Sequence, residues 1–223
     1  DRTIGPVSVK GRGWESPLGL TCRAIEANVD RCSLDMNRVI RDRKLYLIEP
    51  AMGKAMIALN AKDFGNFITH PLLKAQTPCL PGKQEDGIFE FLKEDVDIIA
   101  NPNNKDDEGI VIFYGNCLGK RWRCELRRSS NKAVIKAVPA SSNSDSSHLL
   151  QEESRELSTL ISIFFNSLVF ELDGTYLSFK DLSITTSSNR KRTNDRSINE
   201  SNTQLLVALA IKVKKFPSPG TPF

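Results

Sequence analysis

The sequence predicts an α+β domain in which a long, curved antiparallel sheet wraps around one long helix and one short helix. Two stretches carry that prediction. Between Leu149 and Leu168, the residues Leu149, Leu150, Leu157, Leu160, Ile161, Phe164 and Leu168 recur at the three-and-four spacing of one helical stripe. The opposite side carries Gln151, Glu152, Glu153, Arg155, Glu156 and Ser162, so the helix should lie across a sheet with that side in water. Burying five of the large side chains contributes about 8–15 kcal/mol by area, an upper bound because unfolded chains already hide apolar surface. After Asn166 the period changes to two, and Asp173-Gly174 suits a two-residue hairpin turn. The implied register sets Leu172 opposite Thr175, Phe170 opposite Leu177 and Leu168 opposite Phe179, all on one side of the ribbon.

The remaining elements follow in chain order. Pro6–Trp14 alternates Val7 and Val9 before Gly11 and Gly13, as an edge strand ending in a glycine bend does. Cys22–Met36 alternates in two registers, predicting one long bent strand with a bulge near Asp30-Arg31. Asn37–Lys44 makes one helical turn. Leu45–Leu47 and Ala55–Leu59 are two strands across a turn at Pro50–Gly53. Asn60 caps a short helix that shows Phe64, Phe67 and Ile68 on one face, with Asp63 in its first turn and Pro71 past its end.

Thr77–Asp86 is loop, and Ile88–Leu92 and Val96–Ala100 are strands separated by Lys93-Glu94-Asp95. Gly109–Tyr114 and Lys120–Arg128 form a hairpin closed by Gly115–Lys120, and Ala133–Val138 follows a turn at Ser129–Lys132. Residues 139–147 form a flexible linker and 185–203 a disordered loop. Leu205–Val213 alternates apolar residues on both faces, so most of that strand is buried on both sides. Residues 214–223, with three prolines, are a loose tail.

At 223 residues, 39% apolar and 26% charged, the chain is long enough for one domain with a sizeable core, and it reads as a single domain over 1–223. Its longest apolar runs fall far short of the ~20 residues a membrane-spanning helix needs. The sequence opens on Asp1 without an initiator methionine, so any targeting peptide is absent from it. Five cysteines with no Cys-x-x-Cys spacing indicate free thiols in a reducing compartment, where Cys22, Cys32 and Cys124 act as small hydrophobes on strands.

No nucleophile elbow and no zinc motif is present, and the two histidines stand alone. His70 sits before Pro71 at a helix end, where it is placed to bond a terminal carbonyl, and His148 is an exposed helix start. Asp173 is a turn residue. Asn101–Glu108 lacks the ligand order of a calcium loop, and the sequence calls for no metal, cofactor or catalytic residue. Two surface features remain. Lys120–Arg128 places Arg121, Arg123 and Arg127 on one face, either as a solvated basic face over a buried Trp122 or as a site for anionic groups, lipid phosphates or nucleic acid. Phe64, Phe67, Phe164, Phe165, Phe170, Leu177 and Phe179 form an apolar surplus around the long helix, either one solid core or a groove wide enough for an acyl chain.

Two runs, Gly53–Leu73 and Phe164–Phe179, resemble the LmeA-like domain of bacteria, cyanobacteria and plant plastids, a domain of unknown function. There, a strand leads into a short helix that ends before proline, and a later hairpin has a Phe-x-x-x-Gly-x-x-Leu-x-Phe character. The resemblance covers about Val7 to Val213 and rests on packing and turn patterns. It implies a tubular domain with an apolar cavity that binds phospholipid at a membrane surface, soluble or peripheral, in a chloroplast. The resulting expectation is a non-enzymatic lipid-binding or lipid-transfer module whose partners are an acyl lipid and a membrane. The alternatives are a nucleic-acid-binding module using the arginines, or a scaffold subunit packing on a protein partner.

Overall fold

The computed structural model describes residues 2–16, 19–73, 75–83, 85–100, 109–141, 148–172, 174–186 and 203–215. The expectations for Asp173, for the 101–108 loop, and for most of the 139–147 linker, the 185–203 loop and the 214–223 tail lie outside these residues.

The fold is α+β and built from antiparallel sheets. Twelve strands are described: β1 (Arg2–Ile4), β2 (Val7–Glu15), β3 (Thr21–Val29), β4 (Cys32–Leu34), β5 (Ala51–Leu59), β6 (Glu90–Ile99), β7 (Ile110–Cys117), β8 (Lys120–Ser129), β9 (Lys132–Pro139), β10 (Val169–Leu172), β11 (Thr175–Thr186) and β12 (Thr203–Val213). The helices are α1 (Met36–Asp42), α2 (Ala61–Ile68) and α3 (His148–Asn166), with a 3-10 turn at Glu85–Gly87. A six-stranded sheet runs β10-β11-β12-β5-β3-β2, a four-stranded meander runs β6-β7-β8-β9, and β1 pairs with β4 alone. One apolar cluster joins the two larger sheets with α2 and α3.

The Asp-Gly hairpin has the expected register, with Leu172 opposite Thr175 and Phe170 opposite Leu177. Its third pair survives as the bond from the Phe179 N–H to the Leu168 carbonyl at 3.0 Å. The turns between β7 and β8 and between β8 and β9 place Leu118-Gly119 and Ser130-Asn131 at positive φ, the backbone that two-residue hairpins need. The short helix forms as its sequence directs. Asn60 Oδ1 accepts from the Asp63 N–H at 2.8 Å and Asp63 Oδ2 accepts from the Asn60 N–H at 3.1 Å, a reciprocal capping box.

Several local expectations are corrected. Cys22–Met36 is not one bent strand: the chain breaks at Asp30, whose N–H bonds the Met52 carbonyl, and β4 joins β1 in a separate pair. Leu45–Leu47 is no strand, touching Leu34 only by an isolated bridge from Leu47. Gly53 lies inside β5 instead of a turn, and its missing side chain serves close approach, since an added Cβ would fall on the Asn28 carbonyl. Residues 93–95 do not separate two strands. β6 continues through them with a register shift between Leu92 and Asp97, and Gly65 of α2 packs on the Lys93 carbonyl within that stretch.

The long helix also departs from expectation. Leu149 is exposed, and the buried side is Leu157, Ile161, Phe164 and Phe165. Ser162 does not face water, because α3 lies beside the outer edge of β9 and a second, polar stripe closes that edge. The Ile135 N–H donates to Ser162 Oγ at 2.8 Å, the Ala137 N–H donates to Ser158 Oγ at 2.9 Å, and the Ala133 N–H donates to Asn166 Oδ1 at 3.0 Å. Asn166 Nδ2 donates to the Ala133 carbonyl at 2.7 Å, and Ser154 Oγ donates to the Ala137 carbonyl. Residues four apart on a helix share a face, so these four side chains match the alternate residues of a strand edge.

Candidate functional site

Register places alternate residues of the six-stranded sheet in rows that cross it. One inner row reads Val9, Ala27, Ala55, Leu209, Phe179, and the next reads Val7, Val29, Gly53, Ile211, Leu177. At the β12 end these rows enter the core, where Leu209 and Ile211 are buried. Toward β2 they emerge. Ala27 and Val29 are half-buried, while Val7 is 46% and Val9 55% exposed. The inner apolar face is therefore wider than the layer covering it, and an uncovered flank of β2 and β3 remains continuous with the core. Ile25 and Ile57 extend it as half-buried neighbours.

The seven apolar residues singled out in the sequence divide. Phe64 and Phe165 stack with centroids 6.0 Å apart, Phe164 meets Phe165 at 5.4 Å edge-on, and Phe67 meets Phe170 at 5.0 Å. Phe91 lies 4.9 Å from Phe164, and Phe113 lies 5.6 Å from Phe165. These rings fill the space between the sheets with one another. Leu177 and Phe179 lie further along β11, half-buried. Sequence reasoning missed Phe91 and Phe113 as members of the cluster, and Val7, Val9, Ala27 and Val29 as a surface. For the last four, the available signal was an apolar alternation on the edge strand β2 and on its neighbour β3.

The arginine face forms as expected, but carboxylates share it. Arg121 Nη2 lies 2.7 Å from Asp95 Oδ2, and its guanidinium sits 4.7 Å over the Tyr114 ring. Glu125 stands between the other two, pairing with Arg123 and, at 3.4 Å, with Arg127. The Arg123 hydrogen bond holds the Glu125 carboxyl below its usual range and raises the Arg123 guanidinium. Exposed pairs of this kind contribute little stability, but they reduce the positive field that a phosphate backbone would meet. Trp122 is fully buried beneath, its indole N–H donating to the Cys117 carbonyl at 3.2 Å.

His70 is buried, and its Nδ1 accepts from the Leu72 N–H at 3.3 Å. His148 opens α3 and is exposed. Asp63 forms a buried polar node, accepting from Thr21 Oγ1 at 2.6 Å and Arg23 Nε at 3.1 Å besides the Asn60 N–H. None of the five cysteines is in a disulfide; Cys22, Cys32, Cys117 and Cys124 are buried and Cys79 is half-buried. Among the described residues, no group of three His, Cys, Asp or Glu is arranged to hold a metal ion. Two open clefts flank α3. One of about 620 Å³ is lined by Lys132, Val134, Thr159, Ile163 and Ser167 among others, and one of about 330 Å³ by Pro81, Arg155 and Leu160 among others. No described helix is long and apolar enough to cross a membrane. Compared with known proteins, the chain matches no family model, no curated protein and no solved structure.

Proposed function

We propose that this chain is a non-enzymatic lipid-binding or lipid-transfer module acting at a membrane surface, with an acyl chain lying along the uncovered inner flank of β2 and β3. The observation that carries the reading is the exposure of Val7 and Val9 on rows continuous with the core. Nine residues of strand span about 30 Å, enough for a long acyl tail. The aromatic cluster is a poorer berth, because a ligand there must displace rings already in contact. In the finer form of the reading, the curved sheet wraps the tail as a tube, with the protein resident in a plastid, as the LmeA-like resemblance implies.

The test is native mass spectrometry after incubation with phosphatidylglycerol vesicles, combined with transfer of a fluorescent phospholipid between vesicle populations. A retained lipid and measurable transfer are expected. Val9→Lys, which puts an ammonium group on the inner row, should lose both. Ser8→Lys, on the other face, should keep both. No retained lipid and no transfer in the parent protein would overturn the reading.

A second reading, a scaffold subunit, is favoured by the outer edge of β2, which among the described residues pairs only with β3. An extended segment of a protein partner could add there as a further strand. A single dominant crosslinked partner from native extract, lost when Val9 becomes proline, would support it.

A further inference from the structure

The strongest surface feature outside that flank is the segment that includes α1. Its local signals are complete. Asp35 Oδ1 accepts from the Arg38 N–H at 3.1 Å, and Arg43 closes the helix in the left-handed region at φ 52°. Yet no residue of α1 is buried. A seven-residue helix is far below the ~12–15 residues at which isolated helices become even marginal in water, so helices this short normally gain their stability by packing. Here Met36 and Val39 are only half-buried, and other apolar side chains are left outside: Ile40 is 74% exposed, Leu45 46% and Ile48 55%. Cations are interleaved with them. Arg38 and Arg41 take Asp35 and Asp42, whereas Arg31, Arg43 and Lys44 make no ion pair among the described residues.

We propose that this tip, Arg31 with residues 36–48, is a membrane-docking device that inserts Ile40, Leu45 and Ile48 among the lipids of an anionic bilayer while Arg31, Arg43 and Lys44 contact the headgroup phosphates. The inference rests on the lipid-surface reading above and adds the surface that meets the membrane. Charge complementarity selects the occupant. Unpaired cations call for an anionic partner, and protruding aliphatic side chains between them suit the interfacial zone of a bilayer, where apolar groups sit just below the phosphates. A nucleic acid would meet the cations but would leave the three aliphatic groups in water.

Position adds a second argument. The strand end at Val29 leads through Asp30 and Arg31 into the tip, and Val29 pairs with Val7 in the uncovered inner row. A tip seated in a bilayer therefore brings the open end of that row to the membrane, on the path a lipid would take.

The experiment is flotation of the full chain with vesicles of phosphatidylcholine containing phosphatidylglycerol, against vesicles of phosphatidylcholine alone. Each cation near an anionic surface is worth about fivefold in partitioning, so Arg43→Gln with Lys44→Gln should weaken binding about 25-fold. Ile40→Asp should weaken it about tenfold or more. Ile40→Trp should keep binding and show blue-shifted emission, quenched by brominated lipid. Neutral vesicles should bind far more weakly than anionic ones.

Flotation of Ile40→Asp and of the double glutamine variant at parent levels, or an unshifted tryptophan at position 40, would overturn the proposal. So would a concentration-dependent dimer abolished by Ile40→Asp, which would make a second copy the occupant. The two readings separate cleanly. Val9→Lys should float while retaining no lipid, and the tip variants presented with detergent-dispersed phosphatidylglycerol should still retain it.

Discussion

Replacing both Ser158 and Ser162 with alanine tests the seam between α3 and β9. Each hydroxyl sends its hydrogen to a carbonyl one turn back, Ser158 to Ser154 and Ser162 to Ser158, both at 2.6 Å. That fixes the hydroxyl rotors and turns oxygen lone pairs toward the strand, where they accept the N–H groups of Ala137 and Ile135. The double variant leaves two amides beneath a helix without partners. A buried donor left unsatisfied costs about 1–3 kcal/mol, so the pair should lower stability by about 3 kcal/mol. For a chain of this size that is about 6–12 °C in melting temperature. Urea unfolding should show a lower midpoint at unchanged slope, and hydrogen exchange should quicken at Ile135 and Ala137. Thr159→Ala is the control, since its hydroxyl bonds only the Arg155 carbonyl on the exposed side at 3.0 Å. A double variant within about 0.5 kcal/mol of the parent, with both amides still protected, would refute the seam as a source of stability.

Other substitutions probe the rest of the frame. Gly65→Ala should cost about 3 kcal/mol, because its Cβ falls on the Lys93 carbonyl where α2 meets β6; an unchanged urea midpoint would show that the two elements have room between them. Asp63→Asn should cost about 2 kcal/mol, since an amide cannot accept on both sides from Thr21, Arg23 and the Asn60 N–H, and Arg23→Ala should cost less because Arg23 is half-exposed. Burial pushes the Cys124 thiol up to about 12 and Cys117 up to about 11. The folded state thus prefers these thiols protonated. Their contribution is intact below about pH 8.5, where unfolded thiols begin to ionise, and is lost progressively as the pH rises toward those raised values. In the folded protein a thiol reagent at pH 8 should label Cys79 first and leave Cys117 and Cys124 until unfolding; labelling of Cys124 as fast as Cys79 would contradict its placement.

What the sequence disclosed was local chemistry. The Asn60 cap with Asp63 three residues on, the cross-strand pairs of β10 and β11, and the burial of Trp122 all depend on residues a few positions apart. What it hid was partnership over distance. β12 is visibly apolar on both faces, but nothing in its own residues says that it inserts between β5 and β11, matching Leu205 with Leu59 and Val213 with Ala51. The break at Asp30 depends on Met52, and the place of Gly53 inside β5 depends on its close approach to the Asn28 backbone, neither of them a sequence neighbour. The candidate site fared similarly. Glu125 lies on the same strand face as the arginines, so the neutralisation of Arg123 and Arg127 was readable, whereas that of Arg121 depends on Asp95 of β6 and the exposure of Val9 on where the covering layer stops. The repeat of Ser154, Ser158, Ser162 and Asn166 was in plain view; Ser162 was assigned to water because a polar helical side ordinarily faces it.

The double fastening of α3 has a mechanical result. Its greasy side is keyed into the interior while its hydroxyl side is buttoned to β9, so neither a roll nor a slide of one turn can happen without undoing both sets together. At the far end of the six-stranded sheet, β2 hangs from β3 by a single ladder among the described residues. Under the lipid-binding proposal, substitutions that stiffen β2 should slow lipid exchange, while those along the seam of α3 and β9 change only how hard the protein is to melt.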